Sequence, residues 1–149
     1  MKKALCILAF SLVFVLSPTI AQASDPPIAG QVSGLELCPQ FICHAAIFIG
    51  AFQGQIGSNP NASGIVTTAL KHGDLPTEIN DWTPIYGGVW ELKTLFRRFS
   101  GFVTEGKITY IGGNVFHVEA TLVFSGGTLT FDGFLNHNTP IPTFGGGLQ

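Results

Sequence analysis

Apolar residues fall on every second position from Val115 to Phe124: Phe116, Val118, Ala120, Leu122 and Phe124 share one side, with His117, Glu119 and Thr121 on the other. That period of two is the mark of a half-buried strand. After Gly126-Gly127 the alternation resumes with Leu129, Phe131, Gly133 and Leu135. A two-residue primed turn at Gly126-Gly127 would set Phe124 opposite Leu129, Leu122 opposite Phe131, Ala120 opposite Gly133 and Val118 opposite Leu135, all on one face. The same register sets His117 opposite Asn136, Asp132 opposite Thr121 and Glu119 opposite Phe134.

Other segments carry weaker forms of this pattern. Ile28–Leu37 reads as a strand interrupted by Gly30 and Gly34. Ala45–Ile56 is nearly continuously apolar, and its β-branched and aromatic content predicts a strand buried on both faces. Residues 57–64 are turn formers throughout and predict a surface loop; Asn61 there begins an Asn-x-Ser acceptor pattern, although a turn role accounts for it without modification. Ile65–Leu70 predicts a further strand, and 71–88 a long irregular connection, the first place to look for a binding surface. Val89, Leu92, Leu95, Phe96 and Phe99 lie at helical spacing, so 89–99 allows a short amphipathic helix, but the strand-rich surroundings favour a strand. Phe99–Ile111 reads as a second hairpin, turning at Glu105-Gly106. After Leu135 a loop and at most one short strand are expected. The predicted fold is all-β: an antiparallel sandwich or small barrel built of hairpins, with at most one short helix.

The start of the chain has a different pattern. Lys2 and Lys3, the apolar run Ala4–Leu16 and the small residues of Ala21-Gln22-Ala23 predict a signal peptide cleaved after Ala23. Residues 24–149 then form a single domain that is secreted or periplasmic, long enough for a real core. Removing Lys2 and Lys3 leaves five basic residues against nine acidic ones, a net charge of −4. Without a Lys/Arg cluster, that balance argues against a nucleic-acid partner. The apolar run is shorter than the ~20 residues a spanning helix needs, and the outer faces of the best strands are polar, so no stable membrane insertion is expected once the signal is gone.

Export also changes the reading of Cys38 and Cys43, the two cysteines beyond the signal. A disulfide between them, closing a short loop, is the leading reading. Redox chemistry of the thioredoxin kind uses a shorter Cys-x-x-Cys spacing, and a zinc site from Cys38, Cys43 and His44 lacks a fourth ligand. The histidines His44, His72, His117 and His137 are scattered, no nucleophile elbow or phosphate loop occurs, and no carboxylate pair faces a common cleft in the predicted register. No cofactor is implied. Two readings follow: a non-catalytic exported binding or envelope module, with Trp82, Tyr86 and Trp90 as candidate ligand contacts, or a barrel carrying a small hydrophobic ligand, with enzymatic use of its cavity as a variant of that reading.

Overall fold

The computed structural model describes residues 27–37 and 44–149. The predicted signal peptide and the Cys38–Cys43 pair lie outside the described residues. Eight antiparallel strands follow one another in chain order: β1 (Ile28–Leu37), β2 (Ala45–Ile56), β3 (Asn59–His72), β4 (Trp82–Thr94), β5 (Arg98–Gly112), β6 (Val115–Phe124), β7 (Gly127–Asn136) and β8 (Thr143–Leu148). Each pairs with the next, and β8 pairs back to β1, closing a barrel. Of the two predicted architectures the barrel is the one formed, and the described residues contain no helix. The connections 73–81, 113–114 and 137–142 gather at one end, the near end; the turns 57–58, 95–97 and 125–126 lie at the far end.

Period-two alternation sorts the side chains. Val32, Phe48, Phe52, Val66, Leu92, Val103, Leu122 and Leu135 point inward and are buried. Rings fill the interior edge to face: Trp90 on Phe124 at 5.7 Å, Phe48 on Phe144 at 5.3 Å, Phe131 on Phe144 at 6.4 Å. Each such ring stabilises through its buried area and adds about 0.5–1.5 kcal/mol through its geometry.

Several expectations need correction. The β6–β7 turn uses Ser125-Gly126, so Phe124 faces Gly127, Leu122 faces Leu129, Ala120 faces Phe131 and Val118 faces Gly133. Only Gly127 there has positive φ, 138°. The turn sits one residue earlier than predicted, which moves the register by two and leaves every side chain on its predicted face. The primed turn is instead Gly113-Asn114 between β5 and β6, with φ of 59° and 54°. In β2 the burial alternates, Phe48 and Phe52 inside, Ile47 and Ile49 outside, so the strand is buried on one face only. Its apolar outer residues were the source of that error. The 57–64 loop is a two-residue turn at Gly57-Ser58 leading directly into β3, which puts Asn61 in a strand. The irregular connection shrinks to 73–81, because β4 already begins at Trp82.

No helix forms over 89–99: β4 runs to Thr94, residues 95–97 turn, and β5 begins at Arg98, with Trp90 and Leu92 pointing inward and Val89, Leu95 and Phe96 exposed. The second hairpin is absent. Residues 98–112 form one strand, with a bulge between Val103 and Glu105. An extra residue flips the alternation, so Val103 and Ile108 both point inward despite odd spacing. A two-residue turn would put the same pair on one face, and the sequence pattern does not separate the two cases.

Gly133 lies beside Gly146 of β8 at a close approach in the barrel wall: a Cβ at Gly133 would stand 2.6 Å from the Phe131 ring and 2.8 Å from the Gly146 Cα. Backbone on one side and a packed ring on the other cannot both give way. Gly133→Val is expected to lower the unfolding free energy in urea by roughly 2 kcal/mol or more; unchanged stability would contradict this packing.

Candidate functional site: the barrel interior, its near end and its outer wall

The interior offers a ligand little room. The space enclosed between Val32, Phe48, Trp90, Ala120, Phe131 and Phe144 measures about 50 Å³ and its lining is apolar. Small-molecule sites usually measure about 300–1,000 Å³. Ala120 and Gly133, set opposite each other by the predicted register, are not partners, and the Phe131 ring packs directly over Gly133.

At the near end, strand alternation turns Glu36 inward, on the side of β1 that carries Ile28 and Val32. Its side chain is 3% exposed, and its Oε2 lies 2.8 Å from His137 Nε2 in the loop after β7. Phe116 packs its ring against His137 at 5.2 Å. These partners are 101 residues apart in the chain, and only the barrel's closure brings them together. The available signal was parity: Glu36 occupies a position that β1's alternation assigns to the core. His72, also buried, holds its Nδ1 2.7 Å from Gly73 O. No buried side-chain polar atom among the described residues lacks a partner.

The outer wall has two unlike halves. Across β5–β7, Lys107 Nζ lies 2.8 Å from Glu119 Oε2, and His117 Nε2 lies 2.8 Å from Asp132 Oδ1. Glu119 and Asp132 are direct cross-strand partners, and His117 faces Phe134. The sequence register, off by two, had kept these carboxylates apart and set His117 against Asn136. They stand on the convex exterior, Asp132 64% and Glu119 41% exposed, in a shallow groove of about 580 Å³ that also includes Trp82. A carboxylate pair in open water, with no enclosing cleft, lacks the dry site that acid–base catalysis uses. No cluster of three or more His, Cys, Asp or Glu suited to a metal exists among the described residues.

An apolar row crosses the wall from β1 to β6. Leu37, Ile47, Ala69, Val89, Phe102 and Val123 are successive cross-strand partners, one row running over six strands. Leu35 and Ile49 pair beside it, and Ile65, the partner of Ala51, lies on the same outer face of β3. Val89 is 53% exposed, Ile65 57% and Phe102 65%.

The three candidate contact residues separate. Trp82 and Tyr86 are exposed at 61% and 69%. Trp90 is not a surface contact: it is buried, lines the interior, and donates from Nε1 to Val123 O at 3.3 Å. Its place in the alternation, two residues before Leu92, turns it inward. Comparison with models of known families, with curated proteins and with solved structures finds no match to this chain.

Removing the partner of a buried charge costs far more than breaking an exposed pair. His137→Ala, which strands the Glu36 carboxylate, is expected to lower the unfolding free energy by roughly 3 kcal/mol. His117→Ala, at the exposed Asp132 pair, should cost about 1 kcal/mol or less. Equal losses in urea denaturation at neutral pH would contradict the near-end assignment.

Proposed function

We infer that the protein is an exported, non-catalytic binding module that meets a macromolecular partner with the outer wall of its barrel. The observation that carries this reading is the apolar row from Leu37 to Val123 with its neighbours. The exposed parts of Leu35, Leu37, Ile47, Ile49, Ile65, Val89 and Phe102 amount to on the order of 600 Å², at the top of the ~300–600 Å² of a typical monomer's largest apolar patch. One side of a standard protein interface buries about 800 Å². A closed barrel has no free strand edge to extend, so a partner must be met through side chains.

The alternative reading, a carrier of small hydrophobic ligands, has an interior of about 50 Å³ against it. The sense of the wall supports the absence of stable membrane insertion. A membrane barrel is polar inside with a continuous apolar band outside, whereas this interior is apolar and the β5–β7 exterior carries ion pairs at mid-strand.

Val89→Glu combined with Phe102→Glu tests the reading. Both positions are exposed, so the melting temperature should stay within a few degrees of the wild type. Crosslinking of the exported fraction, read by mass spectrometry, should yield a wild-type adduct through the β1–β5 face that falls at least tenfold in the variant. An adduct of equal yield in the variant would contradict the reading, as would a small apolar ligand released from the purified protein in native mass spectrometry.

A further inference from the structure

We propose that the β4–β5 turn at the far end is a membrane-surface anchor that seats reversibly in the interface of a bilayer containing anionic phospholipid. The proposal goes beyond the partner surface above and rests on different residues. Leu95 and Phe96 are adjacent at the tip and 85% and 89% exposed, the two most exposed large apolar side chains among the described residues. Apolar residues scattered singly on a surface need no explanation, but two neighbours projecting together from a hairpin tip do.

Charge identifies the occupant. Of the five Lys and Arg among the described residues, Lys93, Arg97 and Arg98 flank this tip. Glu91 accepts from Arg98 Nε at 2.7 Å, so three cations stand against one carboxylate and the tip keeps a net charge of +2. The chain as a whole has net charge −2, so the tip runs against the protein's own balance. Apolar side chains at the point with cations behind them match an anionic headgroup layer over acyl chains, the order met by interfacial segments. A projecting tip also suits a soft layer better than it suits a second rigid protein, which would need a matching pocket.

The turn is already set for this role. Thr94 N donates to Arg97 O at 2.8 Å, and Thr94 Oγ1 accepts from Arg97 N at 2.9 Å while donating to Arg97 O at 3.1 Å. Leu95 and Phe96 are therefore presented on a fixed loop, which limits the ordering cost of docking. Ile65 lies beside the tip as the cross-strand partner of Lys93, so the apolar surface continues onto the wall behind it.

The test is co-sedimentation of the mature protein with phosphatidylcholine vesicles, with and without phosphatidylglycerol. Binding should require the anionic lipid and weaken in high salt. Leu95→Asn with Phe96→Asn should reduce partitioning by roughly tenfold or more. Arg97→Glu should reduce it at least about fivefold, the usual worth of one basic residue near such a surface. Both variants alter exposed side chains and should melt like the wild type. Phe96→Trp should shift its emission to the blue on anionic vesicles and be quenched by brominated acyl chains. The proposal is overturned if the wild type does not sediment with anionic vesicles, if the double variant sediments equally well, or if Phe96 crosslinks only to a protein.

Discussion

The pairing of β8 with both β1 and β7 is the contact on which the rest of the structure depends. Every other strand pair joins neighbours in the chain, whereas β1 and β8 bring residues 30–35 against residues 143–148. Without it the sheet would have two open edges, each a row of unpaired backbone groups inviting association. The closing strand is short, and three of its residues are Gly145, Gly146 and Gly147. Glycine is what the tight approach of Gly146 to Gly133 allows, and the same approach leaves no room for a carrier's cavity. Closure also brings Glu36 to His137, giving the buried carboxylate a side-chain partner.

Closure and filling leave little open space inside the barrel. The inward faces hold rings and branched chains, and the buried Glu36 and His72 at the near end are each hydrogen-bonded. On the exterior, ion pairs and apolar side chains are unevenly spread. The β5–β7 wall pairs its charges, Lys107 with Glu119 and His117 with Asp132, while the β1–β5 wall leaves its apolar row open to water. Exposed apolar surface on this scale is a standing aggregation hazard for a lone monomer, which is why a covering partner is the reading it supports.

Much of this was legible from residue order alone, and the failures have physical causes. Alternation from Val115 to Leu135 identified two strands and assigned each side chain to its face; the exact turn was not recoverable, because shifting a turn by one residue preserves those faces. The 98–112 strand was misread as a hairpin because a bulge and a turn restore parity in the same way. β2 was misread as doubly buried because Ile47 and Ile49 are apolar for the sake of the outer surface, a purpose that periodicity cannot reveal. Glu36 could have been noticed on the core side of β1. Its partner could not, since His137 is brought there by the barrel and not by local sequence. Leu95 and Phe96 fell within 89–99, read as a strand with a short helix as the alternative, whereas the Thr94 turn carries them into water.

The most direct measurement of the central claim is amide hydrogen exchange followed by nuclear magnetic resonance, read at β8. A closed, filled barrel predicts that the amides of Phe144, Gly146 and Leu148 exchange as slowly as those of the β2–β3 pair, with cross-strand contacts linking Val32 to Gly146 and Gly133 to Gly146. Fast exchange throughout β8 with no such contacts would show an open sheet, and would remove both the solid interior and the outward-facing function built on it.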